Sequence, residues 1–314
     1  MGRYVFRRTI QSLFLLVGIS LLSFVLMHLA PGGPVTMLED PKMKPEVIAE
    51  IRRSFGLDDP VPVQYARWLW GVVRLDFGRS FIDNRPVIDK ILERVPATFQ
   101  LSLAAFIIGL LGIPMGIYAA LRRGSWADNV VRVFIVVGNA VPHWWLGLMI
   151  LLISASTVRV FPLGGMYTPG QDTLLNRFWH LSLPALIGAM SGWIVFGRFL
   201  RPEVLELLRQ DYIRTAHAKG LNWPVVLRRH ALRNALIPVV TILGGSLAGL
   251  FSGAVLLETT FSWPGMGRLA VSAAFQRDYP LLMALTIVFS ILVILGNLLA
   301  DLAYGLVDPR VRYD

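Results

Sequence analysis

Residues 211–238 read DYIRTAHAKGLNWPVVLRRHALRNALIP: a basic, helix-patterned stretch interrupted at Gly220 and flanked on both sides by long apolar runs. Upstream, PEVLELLRQDYIRTAHA (202–218) places Val204, Leu208, Tyr212 and Ala216 on one i, i+4 row with Leu205 beside them, which predicts an amphipathic helix. Gly220 follows as a left-handed helix terminator, Asn222 as the cap of a second helix, and Pro224 in that helix's first turn. Arg228, Arg229, His230 and Arg233 decorate the second helix. The expected unit is helix, glycine turn, helix, set in an otherwise oily chain.

The surroundings explain why such a unit stands out. The 314-residue chain is 55% hydrophobic and 16% charged, with mean hydropathy +0.59; soluble domains carry about 25% charged residues. Six apolar runs are long enough to cross a hydrocarbon core that needs roughly 20 residues: Thr9–Leu29, Phe99–Leu121, Val130–Thr157, Leu181–Leu200, Leu236–Leu257 and Leu281–Gly305. Arg3, Arg7 and Arg8 precede the first run in signal-peptide fashion, but the run exceeds an ordinary h-region and no A-x-A site follows, so it reads as a retained span.

Six spans put both ends on one side. That side collects Arg3, Arg7, Arg8, Arg122, Arg123, Arg132, the Lys and Arg residues from Arg198 to Arg233, and Arg310 and Arg312, against few carboxylates. The opposite side is nearly balanced. The positive-inside rule places both termini and the 211–238 stretch in the cytoplasm. The net charge of +10 is thereby topological, and nucleic acid is not an expected partner. Cysteine is absent, which excludes disulfide and thiol chemistry.

The resulting organisation has a cytoplasmic start and first helix (1–29), an external helical loop (30–96), a five-helix core (97–305) containing a cytoplasmic loop (201–235), and a short tail (306–314). The external loop offers short helices at 45–56, 60–73 and 84–96. Their Trp and Tyr residues suit the membrane–water interface, either as a cap on the helix ends or as a contact for an external partner.

Missing motifs narrow the chemistry. No G-x-x-x-x-G-K-[ST] is present for ATP, no H-E-x-x-H and no spaced ligand set for a metal, so neither catalytic nor metal residues are assigned. Arg198, Glu258 and Asp301 fall near span ends, where water or snorkelling reaches them, and no relay of charges occupies mid-membrane. Such a protein is either passive or driven by another subunit. Gly245, Gly249 and Gly253, with Ser246 and Ser252, mark the fifth span either as a close-packing helix or as the lining of a solute path. Pro114, Pro142 and Pro184 predict kinks within spans.

The 211–238 stretch resembles the cytoplasmic "EAA" coupling loop of ABC-importer permeases of the peptide/nickel family, and the resemblance runs the length of the chain: RRTIQSLFLLVGISLLSFVLMHLAPGGP, PVQYARWLW, RVPATFQLSLAA, VPHWWLGL, FPLGG, ETTFSWPGMGRL and NLLADLAYGLVDPRVRY. The long first external loop is similar to that of the B-type subunit. The resemblance implies an all-α type I importer fold with six transmembrane helices and an external helical insertion. It implies a path for peptides or a related small solute, shared with a second, C-type permease, two cytoplasmic ATPase subunits that use ATP and Mg, and an extracytoplasmic solute-binding protein. It further implies an inner-membrane location, no cofactor on this chain, and ATPase coupling through Asp211, Tyr212, Arg214, Thr215, Ala216, Lys219, Gly220, Leu221 and Asn222. Arg214 and Thr215 stand where the general motif has Glu and Ala, and Pro238 lies farther from Gly220 than in its simplest form. Tyr65, Trp68, Trp263 and Met266 are expected at an external gate or docking surface.

Overall fold

The computed structural model describes residues 2–29, 46, 56, 58–157, 160–236, 238–239, 242–244, 246, 249 and 254–307, with side chains from 6 to 301. Among these residues the chain is helical, with no strand ladder beyond one isolated bridge between Arg79 and Pro86. The helices are α1 (Gly2–Leu29), α2 (Val61–Val73), α3 (Val87–Leu92), α4 (Val95–Gly109), α5 (Gly112–Leu121), α6 (Trp126–Ala140), α7 (His143–Ser156), α8 (Leu174–Leu207), α9 (Asp211–Ala218), α10 (Trp223–Val226), a π-helical turn (Leu227–Leu232), α11 (Arg233–Ala235), α12 (Val255–Thr260), α13 (Met266–Phe275) and α14 (Tyr279–Val307).

Among the described residues, four helical stretches are long and apolar enough to cross a membrane: Phe6–Leu29, Val87–Leu121, Leu174–Leu207 and Tyr279–Asp301. The expected third span is not a single helix. Its two halves, α6 and α7, meet at 96°, and only if they count as one broken span does the number reach five. Pro142 is the cause: it lacks an N–H, and it drives Val141 into an extended conformation (φ −101°, ψ 126°). The expected fifth span, Leu236–Leu257, is described only in pieces, and the expected helix 45–56 lies largely outside the described residues.

The other prolines act differently. Pro114 follows a break at Leu110–Leu111, where i→i+3 bonds link Ile113 N–H to Leu110 and Leu111 N–H to Ile108. At Pro184 the helix stays continuous: α8 runs for 34 residues, with Leu183, Pro184 and Ala185 buried against neighbours. The expected helix 84–96 also divides. α3 ends at Leu92, and α4 starts at Val95 because Pro96 suits a first turn that has no intrahelical N–H bond to lose.

The centre of the fold is a seam of glycines. α4 and α5 lie along α8, and Gly109 faces Gly192 so closely that a Cβ on Gly192 would stand 2.8 Å from the Cα of Gly109. A Cβ on Gly112 would meet the Trp193 backbone at 2.7 Å, and one on Gly116 would meet Leu200 at 3.0 Å. Lipid tails are as apolar as leucine, so helices in a membrane associate through such close backbone approach and van der Waals contact. α1 and α14 pair at the side of this core, where Arg8 reaches Asp301 at 3.3 Å.

A Gly112→Val substitution is expected to cost about 1–3 kcal/mol through overpacking against backbone that cannot move aside. Gly18→Val, in a place where an added Cβ touches nothing within 4 Å, is the control. The thermal midpoints of the two variants in detergent check this, with only the first falling.

Candidate functional site

The basic stretch folds as two short helices joined by a tight turn, but the helix upstream is not the continuous one expected. α8 stops at Leu207, Arg209 and Gln210 close it with i→i+3 bonds to Glu206 and Leu207, and an extended Gln210 (ψ 148°) starts α9 afresh. Asp211 then sits in the first turn, where the helix dipole favours a carboxylate. This break rotates the row 204/208/212/216 out of register. Ile213, rather than Tyr212, turns inward with Ala216, and the two pack with Val226 and Ala231 into a small core that also receives Leu208 and Leu227.

Gly220 closes α9 in the left-handed conformation (φ +79°). The Leu221 amide donates to the Ala216 carbonyl (3.3 Å) and the Gly220 amide to the His217 carbonyl (2.9 Å), which is a Schellman closure. Asn222 holds the extended backbone of a cap (ψ 143°), yet its side chain makes no capping bond. His217 stacks on Trp223 at 5.3 Å between ring centroids, and the Asn234 amide donates to the Tyr212 hydroxyl at 3.3 Å. Arg214 and Asp211 pair at 3.4 Å while almost fully exposed, a contact worth little in water.

The rest of the surface is bare. Tyr212, Leu221, Trp223 and Val225 are exposed apolar side chains on a segment otherwise lined by Arg214, Thr215, Lys219, Gly220 and Asn222. Of the nine residues expected to couple, Ala216 alone is buried; it supports the hairpin from within.

A cavity of ≈ 360 Å³ opens beside the glycine seam. Leu101, Ser102, Ala105, Phe106 and Gly109 line it from α4; Gly188, Ser191, Gly192 and Phe196 from α8; Ser246 and Gly249 from the next segment; and Ala254 and Leu257 from its far end. None of these side chains is ionisable. Ser246 and Gly249 were among the residues expected on a path, whereas Gly245, Ser252 and Gly253 lie outside the described residues. The contribution of α8 was not anticipated, although Gly188 and Gly192 repeat the four-residue glycine spacing noticed farther along. Ser191 Oγ is hydrogen-bonded to Nδ1 of His143 (3.0 Å), whose Nε2 faces the Gly138 carbonyl (3.2 Å) across the α6–α7 bend.

At the opposite end from the hairpin, the expected surface residues divide. Tyr65 and Trp68 on α2 are half-buried against Phe24 of α1, with centroid separations of 5.3 and 6.4 Å, and the Tyr65 hydroxyl is hydrogen-bonded to Ser20 Oγ (2.8 Å). They pack along the C-terminal half of α1. Trp263 and Met266 are each 1% exposed and belong to the core, so neither presents a docking surface in this chain. The Trp263 indole N–H donates to the Ala97 carbonyl (2.7 Å) and the Met266 amide to Thr98 Oγ1 (2.8 Å).

Glu258 is also corrected, being fully buried instead of reached by water. Thr98 donates its hydroxyl hydrogen to Glu258 Oε1 (2.8 Å), and the Arg268 amide in the first turn of α13 donates to Oε2 (3.0 Å). A side chain at Gly265 would collide with this carboxylate, which accounts for the first glycine of WPGMGRL. At the start of the Val87–Leu121 stretch, Lys90 ties the preceding loop together by bonding Asp83 (2.8 Å) and Ser80 (2.9 Å), while Ser80 and the Phe81 amide donate to the buried Asp278. Partial burial opposes ionisation of Asp83, but hydrogen bonds from Lys90, the Arg85 amide and Ser80 outweigh it and hold the carboxyl below its ordinary range.

The geometry is therefore a charge-free cavity connected by one long helix to an exposed hairpin. Comparison with known sequences agrees with it. The family described as "Binding-protein-dependent transport system inner membrane component" matches residues 112–313, and its N-terminal counterpart matches 1–103. The chain belongs to this family. It is a membrane-embedded transport permease. The oligopeptide transport system permease protein AppB of Bacillus subtilis is 42% identical over the full length of both chains, and a putative peptide transport system permease protein of Brucella abortus is 39% identical over the same extent. A crystal structure titled as an amino acid ABC transporter with histidines is 15% identical, with a TM-score of 0.49, covering 69% of this permease and 94% of that chain.

Replacing Glu258 by Ala strands the Thr98 hydroxyl and the Arg268 amide and is expected to cost this permease about 1–3 kcal/mol. Glu258→Gln, which keeps an acceptor, should lose less. Thermal unfolding of both variants in detergent checks the order.

Proposed function

We propose that this permease forms half of an inward path for peptides or a closely related small solute, and that its hairpin at 211–222 docks on a separate ATPase subunit. The observation that carries the reading is mechanical. α8 lines the cavity at Gly188–Phe196 and runs without interruption to Leu207, three residues from the hairpin. The returning chain packs Ala235 and Val239 onto Leu200 and Val204 of the same helix. A push on the hairpin is therefore delivered to the wall of the cavity, as an element with two packed positions would require.

The peptide assignment is supported by the relatives' names and by the lining. Serine hydroxyls and glycine backbone suit a chain of amides without selecting side chains, and a path with no fixed charge accepts solutes of either sign. Selection then falls to an extracytoplasmic solute-binding protein. The reading further includes a second, C-type permease, two ATPases that bind ATP and Mg, six spans with both termini in the cytoplasm, and an external insertion over 30–96.

Purification of the tagged permease in mild detergent tests the assembly. Recovery of a second permease and an ATPase, with ATP turnover rising when binding protein and peptide are added, is the expected result. A lone chain that conducts peptide without ATP would replace this reading with a passive channel.

Two substitutions test the two halves of the mechanism. An added Cβ at Gly220 meets nothing within 4 Å, so Gly220→Asp should insert and fold despite the positive φ. A coupling free energy of about 1–3 kcal/mol predicts a roughly 5- to 150-fold loss of peptide uptake per ATP hydrolysed. Gly249 is likewise unobstructed and lines the cavity. Gly249→Leu should leave stimulated ATP turnover in place while slowing uptake of longer peptides more than of dipeptides, as measured in proteoliposomes.

A further inference from the structure

A second recess lies beside the hairpin. It is a cleft of ≈ 720 Å³ between the loop that enters α6 and the last turns of α8, lined by four arginines and two carboxylates: Arg123, Arg132, Arg201, Arg209, Asp128 and Glu206. Its floor is already neutralised. Arg201 grips Asp128 through two hydrogen bonds (2.6 and 2.8 Å), Asp128 is 1% exposed, and the Gly124 amide donates to the same carboxylate (2.9 Å). Among the described residues, the side chains of Arg123, Arg132 and Arg209 have no hydrogen bond or ion pair. Three guanidinium groups thus share one recess with Glu206 and, for Arg132, the already paired Asp128 to oppose them.

We propose that this cleft binds the phosphate group of an anionic phospholipid. Guanidinium groups match phosphate oxygens in pairs, and basic recesses between transmembrane helices at the membrane surface take acidic headgroups. The position of the cleft favours the lipid over a soluble phosphate. It lies where the apolar run of α5 ends at Leu121 and that of α6 begins, and Trp126 at that junction is 80% exposed. Indole rings at the ends of apolar helices sit at headgroup level. The rigid Arg201–Asp128 pair fixes the angle between α6 and α8, so an occupied cleft also braces the helix that leads to the hairpin. The proposal depends on membrane embedding, and it stands whether or not the hairpin docks an ATPase.

The test is native mass spectrometry of the purified assembly in detergent containing phosphatidylglycerol, with phosphatidylcholine as the zwitterionic comparison and millimolar inorganic phosphate as competitor. Preferential retention of phosphatidylglycerol is expected. At about fivefold per basic side chain, a variant carrying Arg123→Gln, Arg132→Gln and Arg209→Gln should bind it on the order of 100-fold more weakly. The corresponding three Arg→Lys changes keep the charge but not the paired geometry and should weaken binding less than the glutamine changes, and Arg209→Gln alone gives an intermediate loss if the triple variant fails to fold. Equal retention of the two lipids, or retention unchanged by the glutamine substitutions, would overturn the proposal. Complete displacement by inorganic phosphate would reassign the cleft to a soluble anion, and retention only after removal of the ATPase would reassign it to a protein carboxylate. Peptide-coupled ATP turnover measured on the same preparations keeps failure of this site separate from failure of the transport reading.

Discussion

Backbone-to-backbone contact between Gly109 and Gly192 governs much of this protein. In water, two helices would be driven together by burying leucines, but in lipid that gain is absent, and association relies on how closely the helices can approach. Glycines at 109, 112 and 116 let α4 and α5 come against α8 at a distance no side chain permits. The same residues leave space beside the contact. Gly109, Gly188 and Gly192 both close the seam and border the cavity, so tight packing and an open path come from a single choice of residue. The break at Leu110–Leu111 falls within the seam, where two short helices follow the surface of α8 more closely than one straight helix would.

Charge is handled with equal economy. Removing one member of a buried charged pair costs several kcal/mol, so such groups persist only where a partner is supplied. Asp128 has Arg201 and the Gly124 amide, and Glu258 has the Thr98 hydroxyl and the first turn of α13. Each of these ties distant parts of the chain together. Glu258 is the clearest case, because it joins the start of α4 to the α12–α13 turn and draws Trp263 and Met266 into the core with it. The cavity contains no such group, which leaves its polarity to serines and exposed backbone.

The hairpin extends the logic to the surface. Its four-residue core of Ile213, Ala216, Val226 and Ala231 is enough to hold two short helices at a set angle, and the Schellman turn at Gly220 satisfies the carbonyls at the end of α9. Residues 217–225 at its tip are all exposed. A structure this small, rigid at its root and bare at its tip, transmits force to α8 better than a long flexible loop would. The π-helical turn at Leu227–Leu232 sits on the return strand of the hairpin, and irregular turns of that kind recur at functional sites.

Much of this was legible in the chain itself. Apolar runs of sufficient length specify helices in a membrane, since nothing else satisfies the backbone there, and the helix–glycine–helix unit was readable because Gly220 and Pro224 act through local dihedral preferences. The same local logic anticipated the bend at Pro142, though not its size. What sequence left open depends on neighbours far along the chain. Glu258 looks like a wetted helix-end residue until Thr98 and α13 close over it, and Trp263 looks like an interfacial anchor until its N–H meets the Ala97 carbonyl. The row through Tyr212 fails because one extended residue, Gln210, resets the helical phase. Local propensity determined the elements and their turns; which faces became seam, cavity or surface was decided by tertiary contact, because burial belongs to a pair of helices and neither helix carries it alone.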